Sequence, residues 1–387
     1  LKFIHTSDWH LGRQFHNASL LEDQRHILQQ IVDIAEREHV DAVIVAGDIY
    51  DRSVPPANAV ALLDEVLDKL CHEMQLPVLM ISGNHDSAQR LRFAANQLRQ
   101  SGLHIMGDLG LLTTPVLLHS ATAGTVQFFG LPYCDPEQVR DAFNDEASAQ
   151  LKTHDQAMAY LMAQLDAARD KQLPSVVIAH CFVAGGTGCE SERPLSIGGA
   201  DQVSASHFSA FNYTALGHLH GPQKQGAEHI RYSGSPLKYS FSEQNQNKSI
   251  SLVSIDEAGA AHVELIPLQP LHDMRIIEGE LNALIAQGKT DPHSDDYLMV
   301  RLTDTHAILD PMGKLRAVYP NVLHLEKRML QARSDNEQAL QREKLRQSEL
   351  SMFRDFFQQV HGNELTGEQD QALQTVIKQL HQDEANR

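Results

Sequence analysis

Residues 41–51 read Asp-Ala-Val-Ile-Val-Ala-Gly-Asp-Ile-Tyr-Asp. The run from Ala42 to Ala46 is apolar with no polar alternation. A strand without a polar face is covered on both sides, as in the parallel sheet of an α/β fold. The run stops at Gly47 and gives way to Asp48 and Asp51. The same order of apolar run, turn and polar cluster recurs on either side. Lys2-Phe3-Ile4-His5 reads as a strand and leads to Asp8-Trp9-His10; Pro77 to Ile81 leads to Gly83-Asn84-His85-Asp86. Between these runs the spacing predicts helices over 20–38, 56–73 and 87–101. Apolar strands separated by helices imply parallel crossovers.

Further along, 103–133 reads as short strands with turns and 153–171 as a helix. Ser175 to Ala179 is another apolar strand, ending at His180, and Tyr213 to Leu216 runs into Gly217-His218-Leu219-His220. Residues 229–267 hold three short strand-like runs. The pattern predicts two sheets packed face to face with helices outside. Pro267 and Pro270 mark a boundary, after which 272–328 reads strand, helix, strand, helix, strand. Beyond about 330 the composition turns to Gln, Glu, Arg and Leu. Met352, Phe353, Phe356, Phe357 and Val360 make one apolar helical stripe, and Leu373, Val376, Ile377 and Leu380 another, with Thr366 and Gln369 spaced as a capping box. The expected domains are 1–268, a small α/β cap over 269–330, and a helical tail over 331–387.

Composition narrows the classes. The chain is 42% hydrophobic and 21% charged, a normal globular balance. No apolar run approaches the ~20 residues that span a bilayer, and no leader pattern opens the chain, so a soluble cytoplasmic protein is the expectation. Cys71, Cys134, Cys181 and Cys189 form no C-x-x-C pair and read as reduced, mostly buried thiols. The net charge of −18 opposes unaided binding to a polyanion; bound divalent cations or a partner protein would have to bring a phosphate near.

The polar clusters carry the chemistry. Each follows an apolar strand, and in open α/β sheets ligands sit beyond the carboxyl ends of strands. Oxygen and imidazole donors together suit Mn²⁺, Fe or Zn²⁺, and no thiolate recurs among them. Residues i and i+2 of Asp8-x-His10 and His218-x-His220 would point the same way on an extended chain. Glycine before Asp48, Asn84 and His218 permits a tight turn and a close approach. Taken singly, D-x-H and H-x-H are more often surface or satisfied core residues, and a histidine ending a strand says little. All five clusters, in this order and strand context, favour one shared site.

This ordered set resembles the calcineurin-like metallophosphoesterases, with motifs D-x-H, G-D, G-N-H-D/E, H and G-H-x-H over roughly 1–240. The resemblance implies a four-layer αββα sandwich and a centre of two divalent ions. It gives Asp8, His10, Asp48 and His220 to one metal and Asp48, Asn84, His180 and His218 to the other, with Asp48 bridging. F-I-H-T-S-D-W-H-L-G (3–12), V-A-G-D-I-Y-D (45–51), I-S-G-N-H-D-S (81–87), A-L-G-H-L-H (215–220), R-Y-S-G-S-P-L (231–237) and S-F-S-E (240–243) are similar to the SbcD branch. That branch implies Mn²⁺-dependent cleavage of DNA ends, as ATP-dependent double-strand exonuclease (3′–5′) and single-strand or hairpin endonuclease. It also implies an SbcC ATPase partner gripped by the C-terminal helices, a heterotetramer and a homodimer of this chain. The absence of G-x-x-x-x-G-K-S/T here agrees with ATP hydrolysis in the partner.

The resemblance makes His85 the residue that stabilises the transition state or protonates the leaving oxygen, and Asp86 could orient it by accepting from its other ring nitrogen. Some relatives carry histidine where Asp51 stands; Asp51 reads instead as a buttress of the Asp48 loop. Arg13, Arg52, Arg90, Arg92 and Lys224 follow the clusters and are either ordinary solvated charges or contacts to a DNA backbone. Arg231, Lys238 and the turn 233–235 either line a DNA groove or only close the sheet; the favoured reading is a structural turn with a phosphate contact nearby. Two other readings stand beside this one: a phosphodiesterase of the same superfamily acting on nucleotides or phosphoproteins, and a non-catalytic scaffold for DNA or SbcC.

Overall fold

The computed structural model describes residues 1–120, 123–192, 201–304, 308–327, 353–354, 357 and 365–385. It forms two compact units, Leu1–Arg328 and Met329–Arg387.

The first unit is built on two six-stranded mixed sheets. One runs Ala261–Pro267, Ser249–Ile255, Lys2–Thr6, Ala42–Ala46, Val78–Ile81, Leu103–Ile105. The last four strands are mutually parallel, as their apolar runs predict; the two from the 249–267 hairpin are antiparallel. The other sheet runs Gln223–Gln225, Ala227–Tyr232, Tyr213–Gly217, Ser175–His180, Gly124–Leu131, Val116–Ser120. Phe3, Ala42, Ile44, Leu79 and Ile81 of the first sheet share a buried cluster with Phe128, Val176, Ile178, Tyr213 and Ala215 of the second. Alternate residues of each strand therefore meet the facing sheet, and the rest meet helices.

The helix Leu21–Arg37 buries Ile27, Leu28, Ile31, Val32 and Ala35 at helical spacing, against Val43 and Val45 on the outer face of the first sheet. On the second sheet the same part is played by His154–Ala168, which buries Met158, Leu161, Met162 and Leu165. Thr153 caps that helix by accepting from the amide of Gln156. A helix over Pro136–Phe143, capped by an Asp135–Gln138 box, has no counterpart in the sequence reading.

The continuous helix expected over 87–101 is broken. Ala88–Leu91 and Ala95–Leu98 are single turns separated by Ala94 at φ 58°, and neither turn buries a residue. Helical turns without a buried face gain little from tertiary packing, and propensity alone does not hold so short a helix.

Residues 274–327 form a parallel three-stranded sheet, Met274–Gly279, Tyr297–Leu302 and Val322–Lys327, with helices Leu281–Gly288 and Pro311–Arg316. Leu284, Leu298, Val300, Leu315 and Tyr319 make its own core. The buried Asp23 ties this region to the first helix, accepting from the His272 amide and ring and from the Tyr297 hydroxyl at 2.8 Å.

In the second unit the helix Gly367–Ala385 carries the expected box: Gln369 N–H donates to Thr366 Oγ1 and Thr366 N–H to Gln369 Oε1. Of the tail's apolar stripes, Met352, Phe356 and Val360 lie outside the described residues, as does the side chain of Leu380. No described helix is long and apolar enough to cross a membrane.

Candidate metal centre

All five clusters meet at one rim, because the parallel strands that carry them end together. Strands Lys2–Thr6, Ala42–Ala46 and Val78–Ile81 run in register in one sheet; Ser175–His180 and Tyr213–Gly217 pair in the other, with Gly217 opposite His180. The sheets touch at this edge. The carbonyl oxygen of Ala46 lies 2.9 Å from Nδ1 of His180, and a Cβ on Gly217 would collide with that same oxygen. Gly47 at φ 90° turns the chain off the strand, where a side chain would run into the His180 ring.

The loops then adopt a conformation the sequence does not advertise. Asp8 (φ 54°), His10 (φ 46°), Asp48 (φ 49°) and His218 (φ 110°) all have positive φ. The expectation of extended Asp-x-His and His-x-His pairs is therefore wrong in its route, since left-handed turns aim these donors. Such backbone costs of order 1–3 kcal/mol per residue and persists where surroundings over-determine it. Here those surroundings are hydrogen bonds between the loops. The amides of Asp8 and His10 donate to Gly47 and Asp48 carbonyls, both at 3.0 Å. The amide of His218 donates to the Asp8 carboxylate at 3.1 Å. The amide of His85 donates to Asp48 Oδ1 at 2.9 Å.

Asp8, His10, Asp48, Asn84, His180, His218 and His220 converge. Nε2 of His10 and Nε2 of His220 are 3.1 Å apart. Asn84 Oδ1 lies 3.0 Å from His180 Nε2 and 3.2 Å from His218 Nδ1. Asp48 Oδ2 lies between the halves, 3.6 Å from His10 Nε2 and 3.5 Å from His180 Nε2. Asp8 completes donor sets with His10 and His220 and with Asp48 and His180. Neighbouring ligands of one cation at ~2.1 Å have about these separations.

Protonation makes a cation fit. His180 must donate Nδ1–H to the Ala46 carbonyl, which can only accept. Its Nε2 then presents a lone pair toward Asn84 Oδ1 at 3.0 Å, an acceptor facing an acceptor. The amide nitrogen of Asn84 and Nδ1 of His10 are buried without a hydrogen-bond partner, so the polar demands of the cluster are not met from within.

Burial holds His10, His218 and His220 neutral. It pushes His10 and His218 well below the ordinary histidine value and His220 to about 4. Burial likewise raises the Asp8 carboxyl to about 8 and that of Asp48 well above its usual range. Neutral nitrogens with protonated carboxylates are what a ligand set shows before cations offset its charge. Cation binding must therefore displace at least the Asp8 proton. Manganese affinity is expected to rise with pH by at least about tenfold per unit below the Asp8 value. Calorimetric titrations in buffers of different ionisation enthalpy would show the released proton; a pH-independent affinity below that value would contradict this account.

Around the donors, some expectations need correction. Asp86 does not reach the ring of His85. Its carboxylate accepts the backbone amides of Ile49, Tyr50 and Gly83 at 2.9–3.1 Å, clamping the second cluster to the third. Nδ1 of His85 is instead 2.9 Å from the Asp51 carbonyl oxygen. Arg13 is not a loose surface charge: it is 15% exposed, pairs with Asp51 at 3.2 Å, donates to the Ser191 carbonyl and sits over the Tyr239 ring. Arg92 pairs with Asp108, and Lys224 and Arg231 both pair with Glu228. Lys238 is held by Asp273 at 2.8 Å. The 233–235 turn is buried, with Ser233 hydrogen-bonded to Ser7 beside Asp8.

Residues missed by sequence reasoning lie behind His220. Ser191, Glu192, Glu243 and Lys248 surround it. Glu243 closes the S-F-S-E stretch, but nothing in its spacing gives it a role. Ser191 and Glu192 sit on an irregular loop with no strand before them, so no periodicity marks them.

The calcineurin-like phosphoesterase family matches residues 1–222, and a type 5 capsule protein repressor C-terminal domain family matches 270–361. In Staphylococcus epidermidis, the protein named as the SbcD component of the nuclease SbcCD is 37% identical over 84% of this chain and 85% of its own length. Its namesake in Staphylococcus saprophyticus is 34% identical over 98% of both chains. Such identity over nearly the whole length, with the buried His/Asp cluster that phosphoesterase chemistry requires, leads to one assignment: the chain belongs to the calcineurin-like phosphoesterases and, within them, to the SbcD nucleases of SbcCD.

Proposed function

We propose that this chain cleaves DNA ends and hairpins with two manganese ions. In this reading it acts as an ATP-dependent 3′–5′ double-strand exonuclease and single-strand endonuclease, with an SbcC ATPase supplying the ATP chemistry. The observation that carries the proposal is the convergence of seven donors at one rim, with His180 Nε2 and Asn84 Oδ1 meeting acceptor to acceptor and with the Asn84 amide nitrogen and His10 Nδ1 left unpartnered. Asp8, His10, Asp48 and His220 would hold one ion and Asp48, Asn84, His180 and His218 the other.

When bound, the ion pair supplies acidification of a water and offsets charge on the phosphoryl oxygens. The chain's own part is geometric. The left-handed loops fix the donors before substrate arrives, and the Asp86 clamp keeps the second and third clusters in register. His85 donates Nδ1–H to the Asp51 carbonyl, which leaves Nε2 as the ring atom turned to the reaction; with the ring as imidazolium, Nε2–H would pass its proton to the leaving oxygen and leave the neutral ring behind.

The wider arrangement follows the same reading: a four-layer αββα nuclease domain over 1–268, a cap over 269–330 that bears on DNA, and a tail over 331–387 that grips SbcC in a cytoplasmic heterotetramer serving DNA repair, replication and recombination. Homodimerisation would draw on the exposed Val60 and Phe93 beside the third cluster, and the mass of the isolated chain in solution checks it.

Most loop cations are held in ion pairs, and the exposed Arg90 and the highly exposed Arg52, whose ion pair is long, are the candidates for the DNA backbone. Arg52 is 67% exposed and 3.7 Å from Asp51. Removing both charges is expected to lower the slope of log affinity against log salt by about 1–2. An unchanged slope assigns them to the solvated surface.

The deciding experiment is manganese-dependent cleavage of linear duplex and hairpin DNA, with and without the ATPase. A small phosphodiester is the control substrate. Cleavage of that control with DNA untouched would favour the nucleotide or phosphoprotein reading. No cleavage under any condition would favour the scaffold.

A further inference from the structure

His220 is held more elaborately than any other donor. Its Nδ1 lies 2.6 Å from Ser191 Oγ, which lies 2.6 Å from Glu243 Oε1. Glu243 is fully buried, and its second oxygen meets Lys248 Nζ at 2.6 Å. The same ammonium donates to the His220 carbonyl at 2.8 Å and to Ser235 Oγ at 2.9 Å. The amide of His220 donates to Glu192 Oε1 at 2.7 Å. Ring, amide and carbonyl of one residue are all fixed.

Hydrogen counting sets the direction. A carboxylate paired with an ammonium has no proton to give, so Ser191 must donate to Glu243. A serine has one hydrogen, and with that committed it can only accept from His220. Nδ1 of His220 therefore carries the proton, and Nε2 is left bare where it faces His10 Nε2 at 3.1 Å.

We propose that Ser191 and Glu243 form a positioning relay that fixes the tautomer and aim of His220, so that this half of the cluster takes its cation through a preformed nitrogen ligand. This rests on the reading that the cluster holds two cations. The other half is arranged differently. The His180 ring is fixed directly by the Ala46 backbone, and His218 Nδ1 faces Asn84. Loss of the relay should therefore act on one cation and spare the other.

The test is Ser191→Ala in the full chain, titrated with manganese alone and followed by calorimetry and electron paramagnetic resonance. This variant leaves the buried Glu243–Lys248 pair intact. The wild-type chain is expected to bind two ions. Ser191→Ala should keep one at wild-type affinity and hold the other about 10–100-fold more weakly, the usual cost of losing an outer-shell partner. Ser191→Thr, which keeps the hydroxyl, should restore it.

Two ions bound at wild-type affinity by Ser191→Ala would overturn the relay alone. Equal weakening of both ions, with a lowered unfolding temperature in the metal-free chain, would overturn it in favour of a merely structural serine. A wild-type chain that takes up no manganese overturns the two-cation reading, and the relay with it. Should the variant not fold, long-range ¹⁵N–¹H spectra of the histidine-labelled, metal-free wild-type chain decide. A His220 with its proton on Nδ1 upholds the relay, and one with its proton on Nε2 overturns it.

Discussion

Asp48→Asn is expected to abolish manganese-dependent cleavage while leaving the metal-free fold at least as stable as the wild type. The first half follows from position. The Asp48 carboxylate reaches both halves of the cluster, within 3.6 Å of His10 and 3.5 Å of His180, and its other oxygen holds the His85 amide. In the proposed two-cation reading, removing its charge would weaken both cations at once and forfeit several kcal/mol of transition-state stabilisation, a rate loss on the order of 10³-fold or more.

The second half follows from sign. Burial raises the Asp48 carboxyl well above the ordinary range. A carboxyl raised in the folded state contributes stability that is fully present below its unfolded value near ~4. That contribution is lost as pH rises through the raised folded value. At neutral pH without metal, the aspartate therefore gives the fold nothing that asparagine lacks. Thermal unfolding with and without manganese reads both halves. A manganese-induced rise in midpoint equal to that of the wild type would defeat the bridging role. A metal-free midpoint well below the wild type would defeat the electrostatic account.

His85→Ala is expected to bind manganese and DNA as the wild type does and to lose cleavage by about 10²–10⁴-fold, the usual contribution of a positioned acid or base. The His85 ring contacts the Asp51 carbonyl and stands edge-on to His10, and the proposed ligand sets do not call on it. Its amide, which the substitution keeps, makes the hydrogen bond to Asp48. The loss should appear in kcat with little change in KM if the group acts, as proposed, when the leaving oxygen departs. Loss of one manganese ion from the variant would make His85 a ligand instead, and undiminished cleavage would remove it from the mechanism.

These two residues also show where sequence reading is strong and where it stops. Asp48 was legible because a continuous apolar run ends on Gly47 and must turn there, so its polar neighbour lies at a strand's carboxyl end. The same logic reached Asp8, Asn84, His180, His218 and His220, all of which the fold brings to one rim. The partner of His85 was not legible. Asp86 is adjacent in sequence, but three backbone amides already occupy its carboxylate, and a carbonyl 34 residues earlier meets the ring. The expected helix over 87–101 failed for a related reason: its apolar residues suit a helix, but the fold buries Leu91 and Leu98 only in part and leaves Phe93 exposed.

By itself, then, the sequence determined the strands, their parallel order and the donor types, since hydrophobic periodicity and residue chemistry are local properties. Only the tertiary structure decided that Ser191 and Glu243 stand behind His220, that Arg13 is spent on Asp51 and Ser191, and that the ligand loops are left-handed. Those choices depend on which backbone groups from distant segments remain to be satisfied once the two sheets have packed, and local spacing does not record that.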